Sequence, residues 1–177
     1  MLKKWKLVKT KPVFESKWIK IEKRNYKLPT GKIKENYYHL KRPDYVLIIA
    51  IDDKERIVVL RQYRRGVDDF VYEIPAGWID EGETPLQAAI RELREETGLS
   101  GEGKTKSTLY AQPAFSSMKA HVVILKIGSG SAQVTNTEQD EHVSFNIIPI
   151  AKVRRMIKEG KIKDMGFLSA ISVYDNG

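Results

Sequence analysis

The sequence predicts an α/β (α+β) fold: a mixed β-sheet covered by helices, with a small antiparallel β-sheet at the N-terminus. Three observations predict it. Strand-like segments fill the N-terminal third, one strongly signalled helix follows, and strands then give way to two short helices. Lys4–Thr10, Ser16–Leu28 and Lys32–Lys41 mix β-branched and aromatic residues with lysines, and Pro29-Thr30-Gly31 supplies turn chemistry between the last two. Tyr45–Ile51 and Ile57–Tyr63 are the next strands, joined by a hairpin turn at Asp52-Asp53-Lys54. The helix spans Pro85–Thr97. Thr84 and Gln87 form a capping-box pattern, Pro85 takes the first helical position, and Gly98 ends the helix. Strands are expected at Thr108–Gln112, Ala120–Ile127 and His142–Ile148, then helices at Ile150–Glu159 and Asp164–Tyr174, broken at Gly160. Alternating lysines leave residues 1–44 little apolar surface for a core of their own. They are expected to form a β subdomain that leans on something else, such as a second subunit, beside a main domain at 45–177.

Composition narrows the class. The 177 residues suit one compact domain, or one with a small appendage, and 41% hydrophobic with 31% charged residues fits an ordinary soluble protein. The longest apolar run, Tyr45–Ile51, is too short to span a bilayer, so no membrane partner is expected. The basic N-terminus has no apolar core of a signal peptide, and cysteine is absent, which together point to the cytoplasm. The net charge of +8 raises the prospect of an anionic partner. Against that background, Ala76–Leu99 holds six acids (Asp80, Glu81, Glu83, Glu92, Glu95 and Glu96) and two bases, Arg91 and Arg94. This acidic patch is the feature to explain.

On a helical wheel, Leu86, Ala89, Ile90, Leu93 and Thr97 form a stripe about 100° wide. Glu92, Glu95 and Glu96 lie together on the far side. Like charges at these spacings destabilise a helix by about 0.2–0.5 kcal/mol per pair. Arg91 can relieve Glu95 at i+4, and nothing on the helix neutralises Glu92 and Glu96 together. One reading is a solvated acidic face. The other is a divalent-cation site, where hard oxygen donors without His or Cys suit Mg²⁺ or Mn²⁺.

The lead-in decides between them. From Gly77 the chain reads GWIDEGETPLQAAIRELREETGL. Glycine, Glu83, the Arg91-Glu92-Leu93 run, Glu95-Glu96 and Gly98 fall at the spacing of the Nudix box, which the segment resembles at every defining position. Leaving aside Leu93, where any apolar residue serves, the seven fixed identities coincide by chance at roughly one in 10⁸–10⁹ per starting point. Gly77 permits a tight backbone turn. The resemblance implies the Nudix fold, with its mixed sheet sandwiched between helices. It implies metal-ligand roles for Glu92, Glu96 and the Ala76 carbonyl, and an orienting role for Glu83 with Arg91.

The run VLRQYRRGVDDFVYEIPAGWIDEGE, leading into the box, resembles ADP-ribose and nucleoside-diphosphate-sugar pyrophosphatases. That resemblance implies Arg64, with Arg61 as second candidate, as diphosphate-holding arginines, and Glu73 as a substrate contact or structural hydrogen-bonding residue. Pro113–His121 resembles the Pro-Gly-Phe-Ser-Asp-Glu loop of the subgroup but carries Ala114, Ser117 and Met118 at three of its positions. His121 reads as a strand histidine. Glu138 and Glu141, in an acidic segment ahead of a strand, are candidates for the general base, and Glu95 is the alternative inside the box. The subgroup's N-terminal strands cross to a partner subunit, implying a homodimer, and place an aromatic residue on the nucleotide base. Trp18 and Tyr38 are the candidates.

The leading expectation is Mg²⁺-dependent hydrolysis of ADP-ribose or a related nucleoside-diphosphate sugar to a nucleoside monophosphate and a sugar phosphate. The departures around Ala114–Met118 keep GDP-mannose or another such compound as a rival. A nucleotide-sensing domain without chemistry is a third reading, opposed by the complete set Glu83, Glu92, Glu95 and Glu96. An RNA-processing hydrolase is a fourth; the scattered basic residues argue against a stable nucleic-acid partner.

Overall fold

The computed structural model describes residues 2–128 and 143–176. The chain divides into two units. Met1–Asp44 with Tyr110–Lys119 make the first, and Tyr45–Leu109 with Ala120–Gly177 the second.

The first unit contains β1 (Lys6–Glu15), β2 (Lys20–Lys27) and β3 (Ile33–Lys41), an antiparallel sheet in the order β1-β2-β3. β1 runs five residues beyond the expected limit at Thr10. Pro12 hides the continuation, because proline is tolerated only where a strand edge needs no N–H. Every residue of β1 is exposed. The interior of this sheet is ionic as much as apolar: buried Glu22 pairs with Arg24 at 2.7 Å and with Lys41 at 2.9 Å. The segment around Phe115 is tied to the sheet, its carbonyl accepting the Leu40 N–H at 2.8 Å.

In the second unit, β4 (Tyr45–Ile51), β5 (Arg56–Arg64), β8 (Gly101–Tyr110), β9 (Lys119–Ile127) and β10 (Val143–Pro149) lie in the order β10-β5-β4-β9-β8. Two short strands, β6 (Asp69–Glu73) and β7 (Ala76–Trp78), pair with β5 and β4. The β4–β9 pairing is parallel, whereas β5 pairs antiparallel with β10, β4 and β6 and β4 antiparallel with β7, so the sheet is mixed. β4 is an unbroken apolar run because both its faces are covered. Leu47, Ile49 and Ile51 pack with Val153 of α2 (Ile150–Lys158) and with Phe167 and Ile171 of α3 (Met165–Asp175). Val46, Ile48 and Ala50 pack with Ala88, Ala89 and Leu93 of α1 (Pro85–Thr97). The sheet is thus sandwiched between helices.

α1 has the predicted bounds and both parts of the capping box, and Gly98 closes it with a left-handed φ of 71°. β8 starts at Gly101, well before the expected Thr108. Its first residues, Gly-Glu-Gly-Lys, have poor strand propensity. Glycine is required there by packing: a Cβ on Gly103 would overlap the Ile124 carbonyl.

Candidate active site

β7 and α1 build the site together. Gly77, in extended backbone, lies so close to α1 that a Cβ there would fall within the Glu92 carboxyl group. The expectation of a tight turn at Gly77 is therefore corrected: the missing side chain makes room for a carboxylate. One residue earlier, the Ala76 N–H donates to Glu96 Oε2 at 3.2 Å. Two carboxyls one helical turn apart thus rest on successive residues of one strand.

Arg91 organises the rest. Its Nε and Nη2 donate to the two Glu83 oxygens at 2.9 and 2.8 Å, and Nη2 also reaches the Trp78 carbonyl at 2.9 Å. Nη1 donates to Glu92 at 2.8 Å and to Glu95 at 3.1 Å. The wheel foresaw the Glu95 contact; the Glu92 contact, between neighbours in sequence, needs the bend of the guanidinium toward β7. Glu83 in turn accepts the Asp80 N–H at 3.1 Å, which pins the loop ahead of the helix.

The electrostatics separate these acids into two kinds. Hydrogen bonds from Arg91 hold Glu83 down to about 2, and those to Glu83 raise Arg91 further above its ordinary value. Burial pushes Glu96 up to about 8, reinforced by the Glu92 charge. Burial also raises Glu92, against the opposing pull of Arg91. The Glu83–Arg91 pair contributes to stability above the unfolded carboxyl value near 4.5, and that contribution is lost as pH falls toward 2.

Arg91→Lys removes the two-pronged contact to Glu83 and the bond to Trp78, which a single ammonium cannot replace. The expected cost is about 2–3 kcal/mol, read as a fall of roughly 5–10 °C in melting temperature. Activity should fall about 10–100-fold, since the carboxylates lose their orienting partner.

A family model, the NUDIX domain, matches residues 41–168. The chain belongs to this family. Methanol dehydrogenase activator of Bacillus methanolicus is 30% identical to it, over 94% of the chain and 90% of the relative. ADP-ribose pyrophosphatase of Bacillus subtilis (strain 168) is 28% identical, over 90% and 86%. A solved crystal structure of an ADP compounds hydrolase superposes with a TM-score of 0.82 at 23% identity, covering 99% of this chain and 94% of the other, which supports the fold. The protein is a Nudix hydrolase of the ADP-ribose-pyrophosphatase-like kind.

Nudix hydrolases use divalent metal ions. Among the described residues no group of three acidic or imidazole side chains is arranged to hold an ion unaided. Glu92 and Glu95 turn to Arg91, and Glu96 turns to the backbone. The donor chemistry nonetheless fits. Glu92 and Glu96 are hard, mostly buried oxygen donors of α1 that rest against adjacent residues of β7, each holding its proton more tightly than usual, and a divalent cation relieves the repulsion between them.

The other candidates distribute as follows. Arg64 and Glu73 form a pair, with Arg64 Nη2 2.7 Å from a Glu73 oxygen, and both charges act on Glu96. Arg61 instead lies over the rings of Phe70 and Tyr72, at 5.1 and 5.8 Å. Trp18 and Tyr38 are exposed on the first unit, and Lys17 sits 4.5 Å above the Trp18 ring. His121 lies on β9 and meets Thr108 at 3.0 Å. Glu138 and Glu141 lie outside the described residues. The Trp78 carbonyl and Asp80 are parts of the Arg91 network that the sequence did not single out. Asp80 was visible as an acid of the box, but only the folded loop brings it within 3.7 Å of Arg91.

Proposed function

We propose that this Nudix hydrolase cleaves the diphosphate bridge of ADP-ribose or a related nucleoside-diphosphate sugar with water and Mg²⁺, releasing a nucleoside monophosphate and a sugar phosphate. The observation that carries the reading is the crowding of the Glu92 and Glu96 carboxyls against β7, beside the Arg64–Glu73 pair. Similarity to an ADP-ribose pyrophosphatase over most of both chains supports the substrate class.

Glu92, Glu96 and the Ala76 carbonyl would hold Mg²⁺, with Mn²⁺ as a substitute. When bound, the ion screens the diphosphate charge and acidifies the attacking water. Arg91 keeps Glu92 in place, and Glu83 keeps Arg91 in place. Arg64, oriented by Glu73, holds the non-reacting diphosphate oxygens. Glu138 or Glu141 takes the proton from the water, with Glu95 as the alternative inside the box. Trp18 and Tyr38 offer ring faces to the base, and residues 1–44 serve dimerisation in a homodimer. Stacking of a base on such a ring contributes about 1–3 kcal/mol.

GDP-mannose and similar compounds stay within this reading for a specific reason. Met118, where the subgroup's loop carries glutamate, is buried and offers no charge. The substrate class is tested by incubating the protein with Mg²⁺ and ADP-ribose, GDP-mannose, other nucleoside-diphosphate sugars and dinucleoside polyphosphates, with products separated by chromatography. The expected result is equimolar nucleoside monophosphate and sugar phosphate from one diphosphate-sugar class, and none in the presence of a chelator. Turnover confined to dinucleoside polyphosphates would refute the substrate assignment.

A further inference from the structure

His39 lies near the end of β3 in the first unit, opposite Glu22 of β2. It is 8% exposed, and among the described residues nothing hydrogen-bonds to its buried Nε2. The carboxylate opposite is already engaged. Glu22 Oε2 accepts Arg24 Nε and Nη2 at 3.0 and 2.7 Å, and Oε1 meets Lys41 Nζ at 2.9 Å. Those two cations flank the imidazole. Arg24 lines the same cavity of about 340 Å³ as His39, and Lys41 follows two residues along β3. The remaining walls of that cavity are the rings of Trp5, Tyr26 and Tyr37 and the segment from Pro113 to Ser117, which carries no charged side chain. A proton on His39 makes a third cation against one carboxylate in a buried place.

Burial pushes the imidazole below its ordinary 6.5, with Arg24 and Lys41 acting in the same direction and Glu22 against them. Hydrogen bonds from Lys41 and Arg24 hold Glu22 below the usual carboxylate range, so its charge stays constant while His39 titrates. The same stretch of β3 holds the segment from Pro113 to Ser117. The Leu40 N–H donates to the Phe115 carbonyl at 2.8 Å, and Leu40 forms a parallel bridge with Ser116. This attachment is one residue from His39, and the buried Ser116 lines the cavity beside the imidazole.

We propose that His39 is an acid-sensitive latch: its neutral ring lets β3 hold the segment from Pro113 to Ser117, and proton uptake releases that segment and loosens the three-stranded sheet. The sign follows from the buried position. The opened form takes up the proton near 6.5, and the closed form only at lower pH. The closed form therefore keeps its full stability above 6.5 and loses it as pH falls below that value. None of the residues assigned to the diphosphate chemistry takes part, so the latch can fail or hold independently of the hydrolase reading.

Amide hydrogen exchange of the full chain, corrected for the intrinsic pH dependence of exchange, reads the latch at the Leu40 N–H. Between pH 7.5 and pH 5.5 its opening should become about tenfold more frequent, while the Ala89 and Leu93 amides of α1 stay unchanged. His39→Gln, which keeps a neutral polar side chain, should remove the difference between the two pH values. The imidazole resonances of the wild type decide the matter if that variant does not fold: the His39 ring should titrate below 6.5 in the folded protein. A His39 ring titrating at or above 6.5 overturns the proposal. So does Leu40 exchange that ignores pH in the wild type, that keeps its pH dependence in the variant, or that accelerates together with α1.

Discussion

Glu96→Gln should cut turnover by orders of magnitude and at the same time stabilise the metal-free protein at alkaline pH. The activity loss follows from removing a charged oxygen donor where the diphosphate must be screened. A fall of about 10³-fold in kcat/KM is expected, roughly 4 kcal/mol of transition-state stabilisation. The stability gain follows from the proton. Glu96 holds its proton up to about 8 in the folded protein, against 4.5 as the ordinary value. Its favourable contribution is complete below 4.5 and is lost as pH rises through 8, because the folded state must then carry a buried charge. Glutamine carries no such penalty and still accepts the Ala76 N–H. Thermal melts in the presence of a chelator should coincide for the two proteins near pH 4.5. At pH 9 the variant should be the more stable, by on the order of a few kcal/mol. Equal melting at pH 9 would mean that Glu96 is solvated and paired in some other way.

Gly77→Ala should cost about 10²–10³-fold in activity while leaving the protein folded. Alanine suits an extended backbone, so the damage is steric: the new methyl occupies the place of the Glu92 carboxyl. Either Glu92 leaves Arg91 and β7, or the strand shifts, at a cost of about 1–3 kcal/mol. Combining Gly77→Ala with Glu92→Ala separates the two consequences. The double variant should recover most of the stability, because the clash is gone, and none of the activity. A Gly77→Ala protein with wild-type turnover would show that Glu92 can work from another position.

How much of this was legible in the sequence depended on how local the cause is. α1 was legible to the residue, because Thr84, Gln87, Pro85 and Gly98 each act within a turn of the helix end. β4 was legible because an apolar run of its length fits only a strand covered on both faces. β6 and β7 were not. β7 is three residues long inside the box, and its strand character comes from pairing with Tyr45, Val46 and Leu47. The same distinction applies to the site. Glu83 with Arg91 could be foreseen from the motif, whereas Glu96 on the Ala76 N–H spans 20 residues and depends on how α1 packs on β7. Arg64 stood ahead of Arg61 in the sequence only through the family resemblance. The β5–β6 register, with Arg61 opposite Tyr72 and Leu60 opposite Glu73, puts Arg64 and Glu73 on one face and Arg61 on the other.

Burial poises the Glu92–Glu96 pair to hold a proton, and in the proposed function the binding cation displaces that proton. Titrating Mg²⁺ into the protein by calorimetry at pH 7, in two buffers of different ionisation enthalpy, measures that displacement. With Glu96 titrating at about 8, the wild type should release close to one proton per ion bound, and Glu96→Gln should bind Mg²⁺ far more weakly and release none. Tight Mg²⁺ binding in the variant, or binding to the wild type without proton release, would contradict the account.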